Sequence, residues 1–152
     1  MRLTVAAVGR WKAGPERALY DHFARRITFP LELIEVEEKK RLPPAQLKKR
    51  EADLLLARAP KDAWLVALDE KGKAMGSAAF ARQLAAWQGD GIRDVVFLIG
   101  GAEGLDAGLL KQARLVVSLG PMTWPHLMVR AMLAEQLYRA QSIIAGHPYH
   151  RA

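Results

Sequence analysis

The sequence predicts an α/β fold with a largely parallel sheet, in one domain that covers residues 1–152. Three observations predict this class. Apolar strand-like segments alternate with helical segments five times along the chain. The run Val95–Ile99 is continuously apolar, which is typical of a strand buried on both faces. Glycine and proline residues separate the segments, and neither a linker nor an internal repeat divides the chain.

Strands are predicted where short apolar runs end at turn residues. They are residues 3–8, 31–36, 64–68, 95–99 and 115–119. Helices are predicted to begin at Pro15, at Pro43–Pro44 and at Pro125, because proline fits the first helical turn. In the first helix Leu19, Phe23 and Ile27 recur at four-residue spacing, and Pro30 stops it. Ser77 is the expected N-cap of a helix that ends at Gly89, and a short helix is expected from Asp106 to Gln112.

The last helix, predicted to run to about Ala145, is apolar on two faces. One face carries Leu127, Ala131, Ala134 and Tyr138, and the other carries Val129, Leu133, Leu137, Ala140 and Ile144. A helix buried on two faces lies deep in a core or packs against another subunit. In so small a domain we expect the second face to form a subunit interface.

Composition restricts the function. Lys and Arg number 23 against 16 Asp and Glu, a formal net charge of +7, which suits a polyanion such as nucleic acid but also serves general solubility. The absence of cysteine excludes disulfides, thiolate catalysis and Cys-ligated zinc. No signal peptide and no apolar run of about 18 residues is visible, so we expect a cytoplasmic protein that does not span a membrane.

Three glycine-bearing loops follow consecutive predicted strands: Asp69–Gly72, Gly100–Gly104 and Gly120–Trp124. Ligands of open α/β folds gather at the carboxyl ends of the strands, so the loops are expected to form one pocket. Gly100–Gly104 lacks the dinucleotide fingerprint, and Glu103 would repel a diphosphate. The loop therefore suits a nucleoside or S-adenosylmethionine (SAM), and a purely structural turn stays open. Gly72-Lys73 is not a P-loop, because Ala74 replaces the required Ser or Thr.

Polar residues of the last helix and the tail supply further candidates. His126 follows Pro125 at a helix start, where the dipole favours a neutral ring and attracts anions. Arg130 and Arg139 suit phosphate contacts, although pairing with Glu135 is an equal alternative. His147 and His150 lack a third ligand at a compelling spacing, so no metal site is expected. The basic clusters 39–41 and 48–50 are solvated faces or RNA-facing surface.

Five segments in order resemble the ribosomal RNA large subunit methyltransferase H family, whose members are small SPOUT-class enzymes. They are Leu68–Lys73, Ile99–Leu105, Ser118–Leu119 with Met122–His126, Ala134–Ala140, and His147–Arg151. The resemblance implies a deep C-terminal trefoil knot, SAM held in that knot, and an obligate homodimer. It also implies methylation of N3 of a pseudouridine in 23S rRNA, within assembled ribosomes.

The same resemblance implies which residues form the site. Cofactor contacts are expected from Leu68, Gly100, Leu119, Gly120, Pro121, Met122, Thr123 and Trp124. Gly120-Pro121 departs from the small polar residues expected there, which removes side-chain hydrogen bonds but leaves backbone contacts. The tail is expected to complete the active site of the other subunit.

The candidate catalytic residues are His126, Arg130, Tyr149 and His150, and the candidate RNA contacts are Arg139 and Arg151. None of them is singled out as a general base. Two other functions remain open. One is a non-catalytic basic RNA-binding module, and the other is a nicotinamide-dependent enzyme, which the missing fingerprint disfavours.

Overall fold

The computed structural model describes residues 1–151. Strands and helices alternate from one end of the described chain to the other, as the sequence predicts. The elements are β1 (Arg2–Val8), α1 (Pro15–Ala24), β2 (Leu31–Val36), α2 (Pro44–Arg58), β3 (Trp64–Ala74), α3 (Ser77–Gly89), β4 (Asp94–Ile99), α4 (Ala107–Gln112), β5 (Leu115–Ser118) and α5 (His126–Ala145).

The strands form one sheet in the order β2-β1-β4-β3-β5, and every neighbouring pair is parallel. This confirms the predicted sheet. The order places β5 at an edge beside β3, which is compatible with the expected knot, whose threading stays a prediction.

Two layers of helices cover the sheet. Side chains of β4 alternate between them: Val95, Phe97 and Ile99 pack in a cluster with residues of α3 and α5. Val96 and Leu98 pack on the other side, with residues of α2 and α4. Because successive strand residues face opposite sides of a sheet, a strand covered on both faces must be apolar throughout.

Two predicted boundaries are wrong. The first helix ends at Ala24 and does not reach Pro30. Ile27 is buried beyond the helix, where its N–H donates to the carbonyl of Ala24, and Leu19 is 49% exposed. The four-residue spacing of Leu19, Phe23 and Ile27 therefore does not mark a single buried face of one helix. The third strand does not stop at Leu68, because Lys73 and Ala74 resume pairing with β5 after a local irregularity.

The predicted capping role of Ser77 is also wrong. Gly76 occupies the N-cap position, and no side chain caps α3. The Ser77 hydroxyl instead donates to Oε1 of Gln136 on α5, at 2.7 Å. Asp106 does cap α4, since its carboxylate accepts from the N–H groups of Gly108 and Leu109.

Much of both apolar faces of α5 is covered within the chain. Ala131 and Ala134 pack with Tyr20 of α1, while Leu133 and Leu137 belong to the core that includes the sheet. Leu127 is half-buried and Ile144 is 40% exposed, and the expected subunit interface on this helix stays a prediction. Within residues 1–151, no helix has the length and hydropathy to cross a membrane.

Candidate active site

The three glycine-bearing segments meet in one cleft, as predicted. The first of them, Asp69–Gly72, is an irregular part of β3 and not a separate loop, and Gly72 does not line the cleft. Leu68 at the irregularity of β3, Ile99 at the end of β4 and Val117 near the end of β5 line it, together with the loop residues that follow. The cleft has a volume of about 720 Å³. It forms because β4, β3 and β5 are neighbours in the sheet and their carboxyl ends share an edge.

Most residues expected to contact the cofactor line this cleft. They are Leu68, Gly100, Leu119, Gly120, Met122, Thr123 and Trp124. Pro121 is exposed and does not line it. Met122 is 71% exposed, so the third loop forms an open wall.

Two hydroxyl groups join the first loop to the third. The Oγ atom of buried Ser118 lies 3.0 Å from the carbonyl oxygens of both Glu70 and Gly120, and it accepts from the Gly120 N–H at 3.1 Å. Thr123 donates from Oγ1 to Oε2 of Glu70 at 3.1 Å. Ser118 thus supplies a small polar side chain next to Gly120-Pro121, two residues earlier than expected. Sequence reasoning missed both Ser118 and Glu70.

Two glycines have backbone reasons to be glycine. A Cβ on Gly100 would lie 2.7 Å from the carbonyl carbon of Gly104, so the loop itself requires glycine there. Gly120 has φ +110°, which L side chains rarely adopt, and a Cβ there would meet open space. The structure thus gives a reason within the chain for glycine at position 100, apart from the expected cofactor contact.

The charges of the cleft suit SAM better than a polyphosphate. The carboxylates Asp69, Glu70 and Glu103 line it, and they outnumber its two lysines, Lys48 and Lys71. Carboxylates can attract a sulfonium and an amino group and accept from ribose hydroxyls, but they repel phosphates. Behind the second loop, burial and then the charge of Glu103 raise the pKa of the Glu51 carboxyl. Volume, glycine-bearing walls and carboxylates together fit the cofactor.

His126 lines the cleft from the first turn of α5. Its Nε2 atom lies beside the end of β1, 3.6 Å from the position of a Cβ built on Gly9. Burial, and then the positive charge of Arg130, lower the pKa of His126. The ring is therefore neutral at physiological pH, as expected. The lowered pKa comes from burial and from the charge of Arg130, whereas the sequence suggested the helix dipole.

Arg130 is fully buried and ties three elements together. Its Nη1 donates to Oε2 of Glu35 on β2 at 2.8 Å, and Nη2 donates to the carbonyls of Val8 and Gly9 at 2.9 and 2.8 Å. The guanidinium lies 4.9 Å from the ring centroid of Trp11, and the backbone N–H of Trp11 also donates to Glu35. This burial favours a positioning role for Arg130 over contact with a substrate.

The tail folds back on the far part of α5. Tyr149 donates from its hydroxyl to Oε1 of Glu135 at 3.0 Å, and burial, then this bond, raise the pKa of Tyr149. The same oxygen accepts from Nε and Nη2 of Arg139 at 3.0 and 2.6 Å. Nη1 of Arg139 lies 3.1 Å from Nδ1 of His150. Because arginine only donates, Nδ1 accepts, and the neutral ring carries its hydrogen on Nε2.

The chain does not bring all its candidate residues together. His126 and Arg139 are thirteen residues apart on one helix, which corresponds to about 20 Å along its axis. Tyr149 and His150 do not line the cofactor cleft. Arg139 is engaged by Glu135, the alternative that the sequence left open, and Arg151 is exposed.

A second, mostly apolar cleft of about 700 Å³ lies between α1, α3 and α5. Leu19, Phe23, Phe80 and Met132 line it, and Glu135 lies at its wall. It shares Leu68, Leu119 and Gly120 with the cofactor cleft. Among residues 1–151 no group of histidines and carboxylates has the arrangement of a metal site.

Known proteins resemble the chain over its whole length. Residues 1–150 match the family model described as predicted SPOUT methyltransferase. A relative in Rhodospirillum centenum called ribosomal RNA large subunit methyltransferase H is 55% identical over 152 residues, which is 100% of both chains. A relative of the same name in Paramagnetospirillum magneticum is 56% identical over 151 residues, or 99% of both chains.

Solved structures share the fold at low identity. A probable methylase family protein from Haemophilus influenzae has a TM-score of 0.58 at 8% identity, covering 99% of this chain and 70% of its own. A Legionella pneumophila protein solved with bound SAM has a TM-score of 0.51 at 12% identity, covering 92% and 66%. With the match of residues 1–150, these findings establish that the chain belongs to the SPOUT methyltransferase family.

Proposed function

We propose that this chain transfers a methyl group from SAM to N3 of a pseudouridine in 23S rRNA, on assembled ribosomes in the cytoplasm. The observation that carries the proposal is the three-loop cleft, which lies in a chain 55% identical over its full length to a ribosomal RNA large subunit methyltransferase H. The formal net charge of +7 suits an RNA substrate.

The chemistry requires positioning more than covalent catalysis. SAM, when bound, supplies a methyl group already activated by its sulfonium. Leu68 and Leu119 provide apolar walls of the cleft, and Ser118 keeps the first and third loops in register. Holding the target nitrogen in line with the methyl group is then the main contribution of the protein. Neutral His126 adds no positive charge beside the sulfonium.

We further propose that the active protein is a homodimer in which the tail of one subunit completes the site of the other. Within one chain His126 begins α5, whereas Tyr149 contacts Glu135 and His150 contacts Arg139, about 14 and 20 Å farther along the helix axis. Neither Tyr149 nor His150 lines the cofactor cleft of its own chain, which supports the proposal. The apolar cleft with 49% exposed Leu19 at its rim offers a surface for the second copy.

Methyl transfer is tested with labelled SAM and 70S ribosomes or free 23S rRNA, by counting label retained in RNA on filters. We expect incorporation into ribosomes, and mapping of the product should place the methyl group on a pseudouridine. No incorporation into either substrate defeats the proposal. RNA binding without a calorimetric response to SAM favours a non-catalytic RNA-binding module instead.

The tail proposal is tested with mixed dimers. Deletion of Tyr149–Ala152 should spare SAM binding, whose cleft contains none of these residues, but should reduce methyl transfer at least about 100-fold. Pairing the truncated subunit with a Gly100→Ala subunit should restore one working site, formed by the intact cleft of one subunit and the intact tail of the other. A verified heterodimer without activity refutes action across the interface, and a monomer by sedimentation refutes the dimer.

A further inference from the structure

The segment that joins β2 to α2 and enters that helix is strongly basic. Residues 37–50 contain six Lys and Arg against two Glu. One basic and one acidic residue of this segment neutralise each other, because Arg50 forms an ion pair with Glu38 at 2.8 Å. The other acidic residue, Glu37, pairs with Arg10 of the loop after β1, at 3.3 Å.

Five basic side chains of this segment remain, and we name them the basic ridge. They are Lys39, Lys40, Arg41, Lys48 and Lys49. None of them forms an ion pair with any residue in the described range 1–151. All are exposed except Lys48, which is partly buried. Five unpaired cations on about ten residues repel one another, so they lower the stability of the free protein unless an anion binds.

The fold holds the ridge in a fixed place. Oε1 of Glu38 accepts from the Lys40 N–H at 3.1 Å, and Oε2 accepts from Nε of Arg50 at 2.8 Å. These bonds, the Lys40 N–H foremost, lower the pKa of Glu38, so the clamp is ionised at neutral pH. The loop that carries Lys39–Arg41 is thereby attached to α2 beside Lys48 and Lys49.

The ridge lies at the carboxyl-terminal end of the strands, which is also where the cofactor cleft lies. It follows the carboxyl end of β2 and includes the first half of α2, so it shares this edge with the three loops. Lys48 itself lines the cofactor cleft. An anion chain bound along the ridge would therefore pass next to the cleft.

We propose that the basic ridge binds the phosphate backbone of the RNA substrate and guides the strand toward the cofactor cleft; this inference rests on the proposed function. Lysine acts on phosphate as a point charge, so such contacts contribute affinity and orientation but no base specificity. The ridge thus adds an RNA surface to Arg139, whose guanidinium is engaged by Glu135.

The test compares pairs of substitutions in α2 and in the segments next to it. The ridge variants are Lys39→Ala with Lys40→Ala, and Lys48→Ala with Lys49→Ala. The control is Arg58→Ala with Lys61→Ala, which removes two exposed cations, also without ion pairs within residues 1–151, from the opposite end of α2. For each protein we would measure circular dichroism, KM and kcat on ribosomes, and binding to protein-free 23S rRNA between 0.05 and 0.2 M salt. SAM affinity is measured for the control and the 39/40 pair.

Each ridge pair should raise KM about tenfold or more at low salt. The 39/40 pair, which does not line the cofactor cleft, should also leave kcat nearly unchanged. Losing two phosphate contacts reduces the slope of log affinity against log salt by about 1.4 to 1.8. Wild type should therefore lose about tenfold more RNA affinity over this salt range than either ridge pair. The control should match wild type.

Folded ridge variants that behave like the control overturn the inference. A defect on ribosomes without any change in binding to protein-free rRNA also overturns it, because the ridge would then contact a ribosomal protein. The two ridge pairs lie on different elements, so local misfolding of one leaves the other as the test. If wild type transfers no methyl group at all, the proposed function fails, and salt-dependent RNA binding still decides the role of the ridge.

Discussion

The buried pair between Arg130 and Glu35 allows a sharp test of how the site is held together. The substitution is Arg130→Met, which keeps most of the side-chain volume and removes the charge. It leaves the carbonyls of Val8 and Gly9 without their side-chain donor, and it leaves Glu35 with the N–H of Trp11 as its remaining partner.

The expected loss of stability follows from burial. Removing one partner of a buried ion pair typically costs about 3 to 5 kcal/mol. The Arg130 side chain is 0% exposed and that of Glu35 is 21% exposed, so water can partly solvate the carboxylate that remains. We therefore expect about 3 kcal/mol, at the lower end of that range. For a chain of this size that loss lowers Tm by about 6 to 12 °C.

The assay is urea unfolding at fixed protomer concentration, because dimerisation would make stability depend on concentration. Glu35→Gln and the double variant complete a cycle, and the double variant should be more stable than the sum of the single losses predicts. The matched control is Arg17→Met, whose i,i+4 partner Asp21 is about half exposed; it should cost less than about 0.5 kcal/mol. A loss below about 1 kcal/mol for Arg130→Met would refute the anchoring role.

Three further outcomes follow from the cleft. Gly100→Ala should reduce SAM affinity in calorimetry at least about tenfold, because its Cβ would lie 2.7 Å from the backbone of Gly104, whereas Gly89→Ala adds a methyl group in open space and should bind normally. Gly120→Ala should lower the free energy of unfolding by about 1 to 2 kcal/mol through its positive φ, and an unchanged value would show that the loop relaxes. The pKa of His126 is lowered in the folded chain, so as the pH falls the unfolded chain binds the proton first. The contribution of His126 to stability should therefore be full above about pH 6.5 and decrease below it. In melting experiments at pH 7.5 and 5.5, His126→Asn should reduce that decrease.

The sheet was predictable because its strands are short, mostly apolar runs, and glycine directly follows β1 and β4. Val95–Ile99 shows no alternation of apolar and polar residues, because helices cover both faces of β4. The end of α1 was not predictable from spacing. Ile27 continues the four-residue pattern and is buried, but it lies in a turn after the helix. Burial and helical spacing coincide there without a helix.

The cofactor cleft was predictable from position alone, since its loops follow consecutive strands. The contacts that hold it were not. Ser118 reaches Glu70 across 48 residues of sequence, and Arg130 reaches Glu35 across 95. Such pairs depend on which strands become neighbours, and no local pattern encodes that order. Arg130 was expected to be catalytic because the fork of donors on an arginine suits contact with a phosphate. Its burial against the ends of β1 and β2 gives it a different role.

The two ends of α5 are each fixed by side-chain contacts, and this bears on how many subunits a working site requires. Arg130 attaches the first turns to the ends of β1 and β2, next to the cofactor cleft. Farther along the helix, Glu135 at its middle contacts Tyr149, and Arg139 contacts His150. A straight helix between two fixed ends is a rigid spacer of about 20 Å between His126 and Arg139. Bending it enough to join them would break its core contacts through Leu133 and Leu137. This spacing supports the proposal that the tail of one subunit meets the SAM cleft of a second copy.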